Sequence, residues 1–261
     1  MPKRVTFFRY VGGKHYMLND IIPLIPKHTT YVEAFGGSAK LLLTKDRSKI
    51  EVYNDYDKDI ANLFYVVAFH FNEFYDIVSK LAYSRTIYGI IKKRYKEMKI
   101  ENIPDVQRAV DIYYLLNCSF AGRLGNFGYA RQRNEAMVFK NKIQNLPQIF
   151  ERLQGVIIEC LDFENIIKKY DSEDTFFYID PPYYKAEFYY ETTFNEQDHI
   201  RLLKTLKQIK GKFLLSHYSN ELYVNELKNY PSLKFEKRLW SAYTKKNKRK
   251  TLCTRNTLDE L

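Results

Sequence analysis

The chain is poor in cysteine and tryptophan, with three and one in 261 residues, and it has only 10 glycines and 8 prolines. Cys118, Cys160 and Cys253 are odd in number and far apart, which argues against a disulfide framework and a zinc site. That usage suits a reducing compartment, so a cytoplasmic protein is expected. The histidines at 15, 28, 70, 199 and 217 share no ligand spacing, and no metal is expected. His199 reads as part of an Asp-His surface in the first turn of a helix. No apolar run reaches transmembrane length. The opening stretch MPKRVTFFRYVGGK lacks the apolar core and cleavage site of a signal peptide, so no membrane partner is expected. There is no internal repeat and no low-complexity linker.

What is abundant is aromatic and basic. The chain has 23 Tyr and 18 Phe, a level that serves cores but also base stacking. Lys and Arg number 42 against 31 Asp and Glu, giving a net charge of +11 and a pI near 9.3. A basic excess favours a polyanionic partner, because each neutralised phosphate releases counterions. A merely soluble basic surface is the competing reading. Hydrophobic residues at 45% and charged residues at 28% are ordinary for a folded domain of this length.

Along the chain, residues 31–35 read as a buried strand running into Gly36-Gly37-Ser38, with helical spacing over 39–44. Residues 50–53 make a second strand ending in Asn54-Asp55, and a helix starts near Asp57. Strand, helix, strand, helix is the pattern of a parallel sheet with crossovers. Residues 71–150 read as mainly helical, with 13 Lys and Arg against 7 Asp and Glu, a net +6. Strands resume at 156–159 and 175–179. A helix over 196–209 and a strand over 212–216 follow. The tail over 235–255 carries eight basic residues and one acidic one, and is expected to form strands around a loop at 245–250.

The strongest motif is Asp180-Pro181-Pro182-Tyr183, directly after the apolar run Phe176-Phe177-Tyr178-Ile179. A prolyl pair cannot continue a ladder, so the strand stops there. Ligands of open parallel sheets bind beyond such carboxyl ends. The groups suit attack by an aromatic amine, whose lone pair is delocalised into its ring. The Asp180 carboxylate and the Pro181 carbonyl can each accept one amine hydrogen, which aims the lone pair at a methyl donor. The prolines make the acceptors rigid, and Tyr183 offers a face for an extruded base. An Asp-Pro turn before a core tyrosine is the bland alternative; the whole tetrapeptide after a buried strand favours function.

A second motif, Val32 to Ala39, has the strand, glycine turn and helix form of a nucleotide loop. It lacks both dinucleotide and phosphate-loop spacing, so a cofactor without pyrophosphate fits better. A plain tight turn would look the same. Asp55, some 20 positions later at the next strand's end, is placed for ribose hydroxyls or for capping the following helix. Near the N-terminus, Gly12 and Gly13 allow close approach of backbone to ligand, and Lys14 can pair with a carboxylate.

In this order the motifs resemble the Dam-like N6-adenine DNA methyltransferases, in which the target-recognition region lies between the cofactor motif and the catalytic tetrapeptide. RYVGGK resembles the family's N-terminal motif, which usually has Trp where Tyr10 stands. VEAFGGSA resembles its cofactor loop, Tyr53-Asn54-Asp55 its ribose-binding acid, and Leu161-Asp162-Phe163 the segment flanking the cofactor's adenine. Residues 194–199 and 213–216 resemble its downstream helix start and strand.

The resemblance implies an α/β fold: a Rossmann-like methyltransferase sheet with helices on both faces and an inserted mainly helical target-recognition region. The catalytic domain would be 1–70 with 151–261, and the inserted region 71–150. It implies S-adenosyl-L-methionine as cofactor, leaving as S-adenosyl-L-homocysteine, and no metal. Tyr10, Gly12, Gly13, Lys14, Glu33, Phe35, Gly36, Gly37, Ser38, Asp55, Asp162, Phe163 and Asp180 would line that cofactor. Asp180, Pro181, Pro182 and Tyr183 would be catalytic. The partner would be double-stranded DNA, met by a monomer of bacterial, archaeal or phage type. Base reading is assigned to the loop 117–133, with Arg123 foremost and Asn126, Arg131 and Arg133 beside it. Phosphate contact is assigned to Lys245, Lys246 and Lys248. The loop 117–133 departs from the members that read GATC, so the recognised sequence stays open. The readings that compete are a methyltransferase of the same fold acting on RNA or a protein amide, and a DNA-binding protein that keeps the fold without activity.

Overall fold

The computed structural model describes residues 6–10, 17–183, 194–218, 220–238 and 248–256. In chain order its elements are α1 (Leu18–Ile21), β1 (Thr30–Glu33), β2 (Ile50–Asn54), α2 (Lys58–Phe69), α3 (Phe71–Ser79), α4 (Arg85–Glu97), α5 (Val106–Cys118), α6 (Glu135–Gln144) and α7 (Leu146–Leu153). Then come β3 (Val156–Glu159), α8 (Phe163–Tyr170), β4 (Thr175–Ile179), α9 (Glu196–Leu206), β5 (Lys212–Tyr218), α10 (Glu221–Glu226), β6 (Ser232–Arg238) and β7 (Lys248–Arg255). The chain forms two compact units, one of Met1–Ile22, Gly37–Asp46 and Asp55–Cys160, the other of Pro23–Gly36, Arg47–Asn54 and Leu161–Leu261.

The second unit is an α/β, Rossmann-like layer. Its strands run in the order β2-β1-β4-β5-β7-β6. β2, β1, β4 and β5 are mutually parallel. β7 is antiparallel to both β5 and β6. β4 is central and wholly buried, as its unbroken apolar run requires. In-register neighbours share a face of a sheet. Val32, Val52, Phe177, Ile179, Phe213 and Leu215 therefore form one face, packed with Ile166 and Ile167 of α8 and Leu202, Leu203 and Leu206 of α9. The other face carries Tyr31, Glu33, Glu51, Tyr53, Phe176 and Tyr178, all buried.

The first unit is built round α5. Ten consecutive residues of it, Ala109 to Cys118, are buried. Many of the aromatic residues pack here: Phe7 meets Phe64 edge-on at 5.2 Å, and Phe74 meets Tyr113 edge-on at 5.5 Å. Arg108 ties α5 to Asp59 of α2 at 2.6 and 2.8 Å and lies 3.6 Å from the centre of the Tyr95 ring.

Local chemistry sets the helix starts. Asp57 caps α2 by accepting from the N–H groups of Asp59 and Ile60. Asn195 and Asp198 form a capping box on α9, a device worth about 1 kcal/mol.

Three expectations are corrected. Residues 39–44 form turns, not a helix, because Gly37 and Ala39 have positive φ and only isolated bonds such as Leu43 N–H to Ala39 O close at 2.8 Å. Residues 248–250 belong to β7, paired with Arg238 to Glu236, rather than to a loop. His199 is no surface residue: it is 2% exposed, its Nδ1 lies 2.6 Å from the Tyr223 hydroxyl, and Tyr223 stacks on His217 at 4.6 Å.

Burial pushes the His199 pKa down to about 4, against the pull of Asp198 and Glu196. The unfolded chain protonates this ring near its ordinary value of about 6.5, while the folded chain resists. His199 therefore contributes stability that is present above about pH 6.5 and lost as pH falls toward about 4. The drop in urea midpoint between pH 7 and pH 5 is expected to be smaller in His199→Gln than in the parent. An equal drop would show that His199 is not held neutral in the fold.

Candidate active site

Parallel pairing puts the carboxyl ends of β1 and β4 at one edge. Glu33 is level with Tyr178, on strands about 4.8 Å apart. From β1 the chain moves outward to β2, and β4 returns on the other side, so this edge is a topological switch point. Two loops leave it: the glycine turn after β1, and Asp180-Pro181-Pro182-Tyr183 after β4. Pro181 is buried, Tyr183 is 9% exposed, and Asp180 is half-buried one residue past the strand end.

Asn54, wholly buried at the end of β2, fixes this edge. Its amide nitrogen donates to Ala34 O at 2.9 Å and Leu161 O at 3.0 Å, and its Oδ1 accepts from Leu161 N–H at 2.8 Å. Its own carbonyl accepts from Gly36 N–H at 2.8 Å. In the sequence Asn54 stands out only as the neighbour of an acid. A small amide at a buried strand end, where ladder groups run out of partners, was the available signal.

At Gly36 a Cβ would lie 2.1 Å from the Tyr53 ring, so only glycine fits. Phe35 stacks on Phe163 at 5.6 Å, and Phe194 stands edge-on to Phe35 at 5.6 Å. Asp162 caps α8 by accepting from Glu164 N–H at 2.9 Å. Glu33 is turned into the buried face, where its Oε1 accepts from the Tyr31 hydroxyl at 2.7 Å. In this unit, then, Glu33, Phe35, Gly36, Asp162, Phe163 and the tetrapeptide are all described, and the stacked rings join Phe35 to Phe163.

In the first unit, Gly37 has φ +49°, and a Cβ there would lie 3.0 Å from the Tyr10 ring. Its N–H donates to Asp55 Oδ2 at 2.7 Å, and Asp57 N–H donates to Asp55 Oδ1 at 2.9 Å. Ser38 is buried. Tyr10, Gly37 and Asp55 are thus brought together. Gly12, Gly13 and Lys14 lie outside the described residues.

The loop 117–133 is a built structure. Ser119 and Phe127 form a bridge, Phe120 N–H donates to Asn126 O at 2.8 Å, and Gly128 N–H to Cys118 O at 2.7 Å. Ala121, Gly122 and Leu124 all take positive φ. Gly122 is needed for packing, since a Cβ there would lie 2.5 Å from Arg9 O. Arg123, Asn126 and Arg131 are exposed. Arg133 is exposed as well and grips Glu135 from one oxygen, as Arg9 does from the other. Lys245 and Lys246 lie outside the described residues, and Lys248 is placed only as a backbone position of β7.

Loss of water around the Asp55 carboxyl group, with Asp57 close by, pushes its pKa from 3.8 up to about 7, although the two N–H bonds pull it down. A raised value means that stability is present below about pH 4 and lost as pH rises through about 7, so ionised Asp55 is held at a cost to the fold. The Asp55 carboxyl carbon is expected to titrate by NMR with a midpoint near 7, and the Gly37 and Asp57 amides to follow it. A midpoint near 4 would refute the desolvation.

Comparison with known proteins places this architecture. Type II methyltransferase M1.LlaDCHI of Lactococcus lactis subsp. cremoris is 26% identical over 239 residues, covering 85% of this chain and 83% of that protein. Type II methyltransferase M.MjaIII of Methanocaldococcus jannaschii is 27% identical over 248 residues, covering 82% and 84%. The DNA adenine methylase of Escherichia coli (strain K12) is 24% identical over 188 residues, covering 70% and 66%. The profile of the D12 class N6 adenine-specific DNA methyltransferases matches residues 10–249, from Tyr10 through both switch-point loops into β7. The chain belongs to that family.

Proposed function

We propose that this enzyme transfers a methyl group from S-adenosyl-L-methionine to the N6 amine of an adenine flipped out of double-stranded DNA, with Asp180 and Pro181 as the groups that aim the amine. The observation that supports this most is the Asp-Pro-Pro-Tyr turn leaving the central strand β4 beside the glycine turn after β1.

The glycine turn suits such a cofactor. Gly36 leaves no room for a side chain, Gly37 has a φ that side-chain-bearing residues rarely adopt, and Asp55 brings a carboxyl group to Gly37. Tyr10, the Gly36-Gly37 backbone, Ser38 and Asp55 would hold the cofactor, with Gly12, Gly13 and Lys14 in support. Phe35, Asp162 and Phe163 would flank its adenine. Glu33, turned inward to Tyr31, would act through the loop. The cofactor supplies an electrophilic methyl on a sulfonium, and no metal is required. Asp180 accepts one hydrogen of the target amine and supplies negative charge beside the nitrogen as positive charge grows there. The Pro181 carbonyl accepts the other. The prolines keep both acceptors still, so little reorganisation is needed. Tyr183 would stack on the flipped base.

Recognition is assigned to residues 71–150, with Arg123, Asn126, Arg131 and Arg133 exposed on the loop. Lys245, Lys246 and Lys248 would touch phosphate. The protein would work as a cytoplasmic monomer; among the described residues no helix is long and apolar enough to cross a membrane.

Single-turnover methylation of a duplex carrying the mapped site tests the mechanism, with circular dichroism as folding control. Asp180→Asn keeps the shape but replaces half the carboxylate with a donor. It should lose on the order of a hundredfold or more in rate. Tyr183→Phe keeps the ring and should stay partly active; Tyr183→Ala should be far worse. A folded Asp180→Asn enzyme with near-normal turnover would sink the mechanism.

Arg123 has its own test. Bidentate bonding to guanine discriminates by about 1–3 kcal/mol. Sequencing of DNA methylated by Arg123→Ala should show a relaxed preference at one base. An unchanged motif at a lower rate would make Arg123 a phosphate contact.

A further inference from the structure

Asp162 is held by more than its helix cap. Arg201 of α9 donates from Nη1 to Asp162 Oδ1 and from Nη2 to Oδ2, each at 2.8 Å. The same guanidinium lies 4.2 Å from the centre of the Phe163 ring. It also reaches Glu164 at 3.3 Å and Asp198 at 3.1 Å. Arg201 is 39% exposed and Asp162 28%, so a ligand can reach this carboxylate.

The lone pairs can be counted. Oδ1 accepts from Arg201 and from Glu164 N–H, which fills it. Oδ2 accepts from Arg201 and has one acceptor position left among these bonds. A bidentate arginine fixes the plane of the carboxylate, which a lysine cannot do. Its flat cation also lies on Phe163, so one side chain orients both residues of the pair.

We propose that Arg201 is a positioning residue for the cofactor's adenine: its bidentate clasp on Asp162 and its contact with Phe163 hold one carboxylate acceptor ready for the 6-amino group. This rests on the reading of Asp162 and Phe163 as the residues flanking that adenine. An amine donates to the spare acceptor. A 6-oxo group sets lone pair against lone pair, so the site selects adenine over hypoxanthine. Without Arg201 the carboxylate still caps α8 but is free to turn about its last torsion, and the selection fades.

The test is calorimetric binding of S-adenosylhomocysteine and its deaminated analogue, S-inosylhomocysteine, to the full chain. The parent is compared with Arg201→Ala, Arg201→Lys and Asp162→Asn, with melting temperatures recorded for each. The parent should prefer the adenine form by about tenfold or more, the scale of one hydrogen bond to a charged group. Arg201→Ala should lose most of that preference through weaker binding of the adenine form, and Arg201→Lys should recover only part of it. If Arg201→Ala melts earlier and weakens both ligands equally, Arg201 merely braces the fold and the proposal fails. If Asp162→Asn loses the preference while Arg201→Ala keeps it, the proposal alone is overturned. If the parent has no preference, or Asp162→Asn keeps it, the assignment of Asp162 fails and the proposal with it.

Discussion

The side-chain amide of Asn54 is the constraint on which the sheet edge of the second unit depends. One carboxamide, wholly buried, closes on Ala34 and on both backbone groups of Leu161. Ala34 leads into the glycine turn, and Leu161 leads into Asp162-Phe163. The main-chain carbonyl of Asn54 holds Gly36, and its next residue in the chain is Asp55. Each motif read as touching the cofactor therefore begins within two residues of a bond to Asn54, apart from the N-terminal one and the tetrapeptide. Losing the amide would strand buried carbonyl and N–H groups, each at a cost of about 1–3 kcal/mol.

The first unit stores unfavourable electrostatics at Asp55. Asp55 is a carboxylate short of water and close to a second acid, offset by two N–H bonds. A fold under selection for stability alone would not place it there. Functional sites commonly carry such costs, and a shifted carboxyl is one of their signatures. The charge proposed to act on the amine sits elsewhere, on Asp180, just past the end of the wholly buried strand β4. In the proposed mechanism the buried strand, the two prolines and the tight glycine turn would leave an amine and a methyl donor little freedom to miss.

Much of this was legible in the residues. The unbroken apolar run before the prolyl pair could only be a central strand with a forced stop, and β4 ends at Ile179. Asn195 with Asp198 announced the start of α9, and Asp57 that of α2. Other features depend on the tertiary fold and left no local trace. Helical spacing over 39–44 gave way to turns, because the chain crosses from one compact unit to the other at Gly36-Gly37 with two positive-φ residues close by. A His beside an acid looks like surface until Tyr223, 24 residues later, is known to meet it. Arg201 is an ordinary helix residue in sequence, and its bond to Asp162 spans 39 positions. Gly122 is needed because its missing side chain makes room for the backbone of Arg9, a residue far away in the chain.

Family membership fixes the class of reaction, and the two loops at the switch point give it a physical basis in this chain. The most direct measurement is nucleoside mass spectrometry of duplex DNA, RNA and protein incubated with the enzyme and isotopically labelled S-adenosyl-L-methionine. The account predicts labelled N6-methyladenine in the duplex alone, concentrated in one sequence context and absent when Asp180 is replaced by alanine. Label on RNA or protein but not on DNA, or in DNA at a position other than adenine N6, would contradict it.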